Sequence, residues 1–412
     1  MIRRILKPLS SLKYKSYRYL FLGSALSWVG TQMQVVAVIW HLYKLTNSPY
    51  SLAIIGLSRF IPLMILSPLA GLIADKYNRK KIMFIAQIIA FSSSSLLTYL
   101  TFTNLITPLQ IYLFVALDSI ASTLLSPSRQ SILPSLVPKE ALINALGLNS
   151  IMYQISLVLG PSIGGFILAS TNIWVIYLIN SLSFIPVMLS ILALKNEPRP
   201  HQTTTSLSLK SMREGFIFVF SHPLIASTML LDFFATFFSS ATVLLPIFAK
   251  EILHVGPQGL GILFAAPSIG AIIAGWIFSS FKELKSQGKI LLMAVTVYGL
   301  ATILFGLSTS FYWAFFFLAL TGAGDVVSAI IRNAIRQLAT PDHMRGRMTA
   351  VNMIFYTGGP QLGEVEAGIL AGFAGLRQSV IIGGISTILF TIITYALVPK
   401  LRNYQNHAID LT

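Results

Sequence analysis

The chain alternates long apolar runs with short polar segments. Each run reaches the roughly 20 residues that a helix needs to cross a bilayer, and none has the strict alternation of a β-barrel strand. A segment inside lipid must satisfy its own backbone hydrogen bonds, so the runs predict helices. We expect twelve membrane-spanning helices, at residues 17–42, 50–74, 81–102, 109–129, 143–169, 173–194, 222–249, 257–281, 289–308, 311–336, 346–371 and 376–398.

The composition agrees with a membrane protein. Of the 412 residues, 55% are hydrophobic and only 10% are charged, whereas a soluble protein carries roughly 25% charged residues. This excludes a soluble enzyme of two or three domains. The net charge of +16 would suit nucleic acid, but the basic residues lie in short clusters between apolar runs and not on one polar face. Nucleic acid is therefore not an expected partner.

The distribution of lysine and arginine predicts the orientation of the spans. With the N-terminus inside, the cytoplasmic segments hold 25 of the 29 basic residues, and the outer loops hold only Lys44, Lys250 and Arg377. Arg59 lies within the second span. Because positive residues concentrate on the cytoplasmic side, we expect a multi-pass protein of the cytoplasmic (inner) membrane with both termini in the cytoplasm. The N-terminal segment lacks a cleavage site after a short apolar core, so it is not expected to be a removable signal peptide.

A polar linker divides the predicted spans into two groups of six. The longest polar stretch, 195–215, separates an N-terminal six-helix bundle (1–194) from a C-terminal one (216–412). We therefore predict an all-α membrane protein made of two similar bundles.

The two halves also repeat at the level of single residues. Asp118 and Arg129 in span 4 are eleven residues apart, as are Asp325 and Arg336 in span 10. Farther along, Asn149 aligns with Asn352 in a stretch that matches without gaps. Such repetition is typical of transporters built from two parallel halves, which bind substrate between them near the bilayer midplane.

Five carboxylates lie inside predicted spans, where charges are costly and mark functional sites. They are Asp118, Asp232, Asp325, Glu364 and Glu366. Arg59 is the expected counter-ion of Asp118, since each lies about 13 Å from the outer end of its span at 1.5 Å per residue. Arg332 and Arg336, which close span 10, are interpreted as cytoplasmic anchors. We expect one or more of the acids to exchange a proton during transport; a structural ion pair or polar helix contact is the alternative.

The loop between spans 2 and 3 carries a short motif, whose key residues are Gly71, Asp75, Lys76, Arg79 and Lys80. In spacing it resembles the signature Gly-x-x-x-Asp-Arg/Lys-x-Gly-Arg-Arg/Lys of the major facilitator superfamily. In that family the motif latches the two halves together on the cytoplasmic side. Asn78 stands where glycine is usual, and asparagine tolerates a left-handed backbone. Arg79 and the lysines are expected to pair with carboxylates or lipid phosphates.

Span 5 contains a second motif, formed by Gly160, Pro161, Gly164 and Gly165. It resembles an element of major facilitator antiporters, most of which are exporters. Proline removes a helical hydrogen bond and kinks a helix, and glycines let helices approach closely. A kink that serves packing alone, whatever the direction of transport, is the alternative.

Within the superfamily the chain resembles the enterobactin-exporter and macrolide-efflux branch, also called transmembrane secretion effectors. The strings that carry this are Pro127-Ser128-Arg129-Gln130, Leu245-Pro246, Arg345-Gly346-Arg347 and Leu362-Gly363-Glu364-Val365-Glu366. The resemblance implies the major facilitator fold and a monomer that exports a siderophore, a macrolide or another amphipathic compound by alternating access. Proton entry would drive this export. One departure is that span 4 lacks the arginine that drug–proton antiporters usually carry in its outer half, which directs attention to the intramembrane acids.

Other functions leave fewer signals in the sequence. The chain has no cysteine, no histidine pair at metal-ligand spacing and no phosphate-binding Gly-x-x-x-x-Gly-Lys, so no metal or other cofactor is expected. An intramembrane enzyme should show a nucleophile–base or metal constellation, and none is visible. Uptake of a small metabolite and a non-transporting membrane sensor remain the alternatives to export.

Overall fold

A computed structural model describes residues 7–194, 209–281 and 286–405, and shows helices without β-strands across these ranges. A 3₁₀ helix, Lys7–Lys13, precedes six long helices of the first half. They are α1 (Lys15–Thr46), α2 (Pro49–Lys76), α3 (Arg79–Phe102), α4 (Pro108–Leu136), α5 (Lys139–Ser170) and α6 (Ile173–Ala193).

The second half opens with a linker helix, Leu209–Ser221, and continues with six longer elements. Positions 195–208 of the predicted linker lie outside the described residues. The longer elements are α7 (Pro223–Phe238), α8 (Gly256–Ser279), α9 (Gln287–Leu307), α10 (Phe311–Ala339), α11 (Arg345–Ala374) and α12 (Leu376–Leu397). Helix α7 is followed by short helical turns at Ala241–Leu244, Leu245–Ile247 and Phe248–Ile252, and α12 by a turn at Pro399–Arg402.

Eleven helices in the described part of the chain are long and apolar enough to cross a membrane. They are α1 to α10 and α12, with α7 counted together with its turns to Ile252. The predicted eleventh span coincides with α11, which has 30 residues but lies outside this set. Asn352, Gln361 and two glutamates inside α11 lower its hydropathy. The prediction of an all-α membrane protein is confirmed.

The chain folds into two compact units, Met1–Thr46 with Ser58–Ser208 and Asn47–Leu57 with Leu209–Thr412. The start of α2 therefore groups with the second unit. In the first unit, α1 packs on α5 and α6, and α3 packs on α4 and α6. In the second unit, α7 packs on α11 and α12, and α9 packs on α10 and α12. The repeat seen in the sequence thus extends to the pattern of helix packing.

Glycine permits a close helix crossing in the second unit. A Cβ atom on Gly270 of α8 would overlap the carbonyl oxygen of Ala319, and one on Gly322 of α10 would overlap that of Pro267. The backbones of α8 and α10 are therefore in direct contact, as small residues permit in membrane helices. This crossing sets the position of the part of α10 that carries Asp325.

Candidate functional site

A buried ion pair joins α7 and α10 in the second unit. Nη2 of Arg332 lies 2.8 Å from Oδ1 of Asp232, and each side chain is only 2% exposed. The same Nη2 lies 3.4 Å from Oδ1 of Asp325, whose side chain is 48% exposed. Ser328 accepts a hydrogen bond of 2.5 Å from Nη1 of Arg332. One guanidinium thus bridges a buried carboxylate and an accessible one.

The interpretation of Arg332 and Arg336 as cytoplasmic anchors is wrong. Both are buried, at 2% and 3% exposure. Arg336 donates to Oδ1 of Asn352 and to Oδ1 of Asn333, at 2.6 Å each. The contacts of both side chains therefore lie inside the protein, and Nε of Arg332 is buried without a hydrogen-bond partner among the described residues.

The sequence contained a signal for this arrangement. Asp325, Ser328, Arg332 and Arg336 are spaced three, four and four residues apart, which places them on one face of a helix. A polar stripe of this kind inside a span must face protein or water. If Arg332 and Arg336 are assigned to this polar stripe, and not to the loop that follows span 10, the sequence predicts that they are buried.

Asp325 opens into a cavity of about 200 Å³ that is formed by residues of the second unit. Side-chain hydroxyl groups dominate its polar lining. They belong to Thr236, Ser239, Ser240, Thr242, Tyr298, Thr302 and Thr321. Hydroxyl groups both donate and accept hydrogen bonds, so the cavity can hold a polar group of a small molecule beside one carboxylate.

A second polar network lies in the first unit around Asp118. Nε2 of Gln34 donates to Oδ2 of Asp118 at 2.9 Å. Oε1 of Gln34 accepts from Ser94 at 2.6 Å and from Asn180 at 2.8 Å. Oδ1 of Asp118 is buried without a hydrogen-bond partner among the described residues. The network links α1, α3, α4 and α6 and reaches the carboxylate through one amide.

The structure brings Arg59 and Asp118 to contacting helices. Ser119, which follows Asp118 in α4, donates to the carbonyl oxygen of Arg59 in α2 at 2.7 Å. The two charged residues therefore lie at matching positions along the helices, as the depth argument predicts. Their pairing stays a prediction.

The two glutamates of α11 occupy different surroundings. Glu364 is 8% exposed, and its Cβ lies 3.0 Å from the position that a Cβ on Gly56 would take. Glu366 is partly buried, and its Oε2 has no hydrogen-bond partner among the described residues. The two residues thus have distinct environments, which fits a spacing of two on a helix.

The loop motif between α2 and α3 makes different contacts from those expected. Arg79 donates to the carbonyl oxygen of Ser131 at 3.1 Å, and Lys80 donates to those of Leu192 and Leu194 at 2.9 and 2.6 Å. These cations therefore bind backbone carbonyls. Those of Leu192 and Leu194 lie at the end of α6, where carbonyl groups lack helical partners, and that of Ser131 lies in the last two turns of α4. Lys76 is exposed and Gly71 is partly buried within α2; the side chain of Asp75 lies outside the described part of the structure.

The left-handed backbone considered for Asn78 does not occur. Asn78 has φ −63° and ψ 114°, and its side chain accepts a hydrogen bond from the backbone N–H of Lys81. It is therefore the N-cap of α3, a position that asparagine favours because its short side chain satisfies one of the free N–H groups.

The glycine–proline motif lies where α5 crosses α1. Helix α5 continues through Pro161. A Cβ on Gly160 would meet Gln32, and one on Gly164 would lie 3.1 Å from Cα of Met33. Gly165 is also buried. The packing role of the motif is thus visible, whereas its link to the direction of transport stays a prediction.

The chain as a whole matches one protein family. A family model described as "Transmembrane secretion effector" matches residues 6–410. The chain belongs to the transmembrane secretion effector family. Members of this family are transporters of the major facilitator type and not enzymes. They bind small-molecule substrates and usually work as monomers.

Individual members of the family resemble this protein along its whole length. The staphyloferrin A transporter of Staphylococcus aureus (strain NCTC 8325 / PS 47) is 28% identical, covering 95% of this chain and 100% of the relative. The enterobactin exporter EntS of Citrobacter koseri is 27% identical, covering 96% and 95%. The transmembrane secretion effector described here is thus an integral membrane transporter with siderophore transporters among its relatives.

Solved structures show the same fold. A bacterial homologue of the human lysosomal transporter Spinster matches with a TM-score of 0.74 at 15% identity, covering 94% of this chain and 98% of that one. The nucleoside transporter NupG (D323A mutant) matches with a TM-score of 0.74 at 12% identity, covering 93% and 100%. At such identities the likeness shows the major facilitator fold alone. Among the described residues, no group of three or more His, Asp or Glu side chains could hold a metal ion.

Proposed function

We propose that this transmembrane secretion effector is a proton-coupled exporter of a small amphipathic compound, with siderophores as the first candidates. Its place is the cytoplasmic membrane, with both termini in the cytoplasm. The observation that carries the coupling is the position of Arg332, between the buried Asp232 and the accessible Asp325. The substrate class is supported by relatives named as a staphyloferrin A transporter and an enterobactin exporter.

Asp325 is suited to link protons to substrate because it has access to both. Its side chain is 48% exposed and lines the hydroxyl-rich cavity. When ionised, Asp325 attracts Arg332 or a donor group of the substrate through its charge; protonation removes that charge and weakens both interactions. Proton and substrate therefore compete at Asp325, which is the requirement for exchange in opposite directions.

Alternating access supplies the movement in this proposal. The two six-helix bundles, 1–194 and 216–412, are the moving parts, joined by the linker 195–215. The loop with Arg79 and Lys80 gates the cytoplasmic side. Asp118, Arg59, Glu364 and Glu366 are further candidates for the proton path. The support for Asp118 is its network in the first unit, where one of its oxygens has no described partner.

The orientation rests on the distribution of positive charge. The segments assigned to the cytoplasm hold 25 basic residues, or 22 without Arg129, Arg332 and Arg336 of α4 and α10, and the outer loops hold three. Such a bias sets the topology of membrane proteins. With this orientation, α1, α3, α5, α7, α9 and α11 begin on the cytoplasmic side.

Transport in proteoliposomes tests the proposal. The protein is oriented with its cytoplasmic face outward, and radiolabelled siderophores and macrolides are added to the medium. Export then moves a compound into the lumen while protons leave, so an acidic lumen should drive accumulation and an uncoupler should abolish it. Asp325→Asn should accumulate little. If a preloaded compound instead left the lumen together with protons, the protein would be an importer, and if no compound moved under either gradient, proton-coupled export would be rejected.

A further inference from the structure

Arg129 in α4 makes an unusual contact for a charged residue inside a predicted span. Its Cζ lies 3.9 Å from the centroid of the Trp28 ring in α1. Tyr153 of α5 meets the same ring edge-on, with centroids 5.8 Å apart and planes at 79°. A guanidinium over an indole face is attracted by the ring quadrupole. Three helices of the first unit therefore contribute to one site that combines a cation with aromatic surface.

This guanidinium has no acceptor within the described part of the chain. No described residue forms a hydrogen bond or an ion pair with Arg129. A charge at membrane depth normally pairs with another group. Contact with the Trp28 ring supplies no acceptor oxygen, so the five N–H donors of the guanidinium stay available to a ligand.

The repeat shows that this lack of acceptors is particular to the first unit. Arg336, the counterpart of Arg129, donates to Asn333 and Asn352. Asn333 corresponds to Ser126 in the register that aligns Arg129 with Arg336, and a serine side chain is shorter. Oδ1 of Asn149, the counterpart of Asn352, is buried without a described partner. The hydrogen bonds that Arg336 makes to two asparagines thus have no equivalent at Arg129 among the described residues.

The Arg129–Trp28 pair is not fully enclosed by protein. Arg129 and Trp28 are both partly exposed. Gly30 packs on Asn180 of α6, and Trp28, two residues earlier, lies about 200° around the helix, so it faces away from α6. Arg129 is seven residues before the last residue of α4, a depth of about 10 Å. In the orientation proposed above, this end of α4 is cytoplasmic, which is where an exporter collects its substrate.

We propose that Arg129 on the Trp28 ring is an anion-binding subsite that takes a carboxylate of the transported compound. A carboxylate presents two oxygens in one plane and matches the fork of a guanidinium. The ring of Trp28 holds that fork in place and offers apolar surface to the body of an amphipathic ligand. As a substrate subsite the assignment rests on the export function proposed above, and it narrows the substrate to compounds with a carboxylate.

Equilibrium binding without any gradient tests the subsite separately from transport. The probe is radiolabelled citrate, added to protein in nanodiscs of zwitterionic phosphatidylcholine. Arg129→Gln should weaken citrate binding about 10- to 100-fold, as expected for loss of a charge-assisted bidentate bond, and Arg129→Lys should fall between. Arg377→Gln, which removes an exposed guanidinium elsewhere, is the matched control and should bind like the parent. A melting curve checks that each variant is folded. If Arg129→Gln does not fold, the citrate affinities of Arg129→Lys and Trp28→Phe decide instead, and both should be lower than that of the parent.

The emission of Trp28 reports where the probe binds. In a variant with phenylalanine at the other four tryptophans, citrate should change this emission with the same midpoint as binding. Equal citrate affinity of the parent and Arg129→Gln would overturn the proposal. The proposal would also be overturned if phosphatidylglycerol, but not citrate, changed the Trp28 emission in a way that depends on Arg129. The ligand of the site would then be a lipid phosphate. Arg129-dependent citrate binding in a protein that transports nothing under a gradient would uphold the subsite and reject the export proposal.

Discussion

Nη2 of Arg332 lies 2.8 Å from Oδ1 of Asp232, and both side chains are only 2% exposed. Each charge loses its hydration in this environment and depends on the other for compensation. The helices that carry them, α7 and α10, are far apart in sequence. The contact therefore ties two helices of the second unit together and holds Arg332 within reach of Asp325.

Removing either partner of this pair should destabilise the protein. We expect Asp232→Asn and Arg332→Gln each to cost about 3–5 kcal/mol in free energy of unfolding, because a buried charge is left without its partner. The double variant should cost clearly less than the sum of the two. Thermal unfolding in detergent measures all four proteins of the cycle, and strictly additive losses would contradict the pairing.

Replacing Asp325 should affect transport and leave the fold intact. Its side chain is 48% exposed and makes only the longer contact, at 3.4 Å, with Arg332. We expect Asp325→Asn to melt within a few degrees of the parent and to lose the response of transport to an imposed pH gradient. The measurement is accumulation in proteoliposomes at several gradients. An unchanged response in Asp325→Asn would remove this residue from the proton path.

Substitutions in the network around Asp118 can distinguish the effect of its charge from the effect of its hydrogen bond to Gln34. Asp118→Asn keeps a side-chain oxygen that can accept from Gln34, so we expect little loss of stability. A change in the pH dependence of transport would then come from the missing charge. Gln34→Leu is the contrasting variant, because it removes the donor to Asp118 and the shorter of two hydrogen bonds made by Ser94 and by Asn180. We expect it to cost about 1–3 kcal/mol. The prediction fails if Asp118→Asn unfolds as readily as Gln34→Leu.

The crossing of α8 and α10 should not tolerate a side chain. A Cβ at Gly270 would overlap the carbonyl oxygen of Ala319, so Gly270→Ala must push the helices apart, and we expect a loss of about 1–3 kcal/mol or more. Gly147→Ala is the matched control, since no atom lies within 4 Å of its Cβ position, and it should be neutral or stabilising by up to about 1 kcal/mol. The melting temperature should fall for Gly270→Ala and stay at or above that of the parent for Gly147→Ala.

The helices were largely predictable because lipid imposes a local rule. A run of about 20 apolar residues is a sufficient signal for a spanning helix. Ten of the predicted runs coincide with single described helices that are long and apolar enough to cross a membrane. Helix α7 reaches the length of a membrane span only together with the short turns that follow it. Helix α11 is long enough, but its polar residues lower its mean hydropathy. The boundaries at Pro49 and Pro108, which open α2 and α4, follow from proline's preference for the first turn.

The candidate site was only partly predictable. Hydropathy marks each charged residue inside a span, so Asp118, Asp232 and Asp325 could be selected one by one. The position of Arg332 near the end of its run suggests the membrane surface, whereas its helical spacing from Asp325 indicates burial, and the structure agrees with the spacing. The contact of Arg129 with Trp28 had no signal in the sequence, since the two residues are about a hundred positions apart.

The sequence by itself determined the class of protein, the helices, the internal repeat and the presence of costly charges at membrane depth, because each of these depends on local composition and spacing. Only the tertiary structure decided which charges meet. Pairing depends on how each helix is rotated about its axis and where it crosses its neighbours, as at Gly270 and Gly322. For this reason Arg336 is satisfied by asparagines in one unit, while Arg129 in the other has an aromatic ring and donors that no described residue uses.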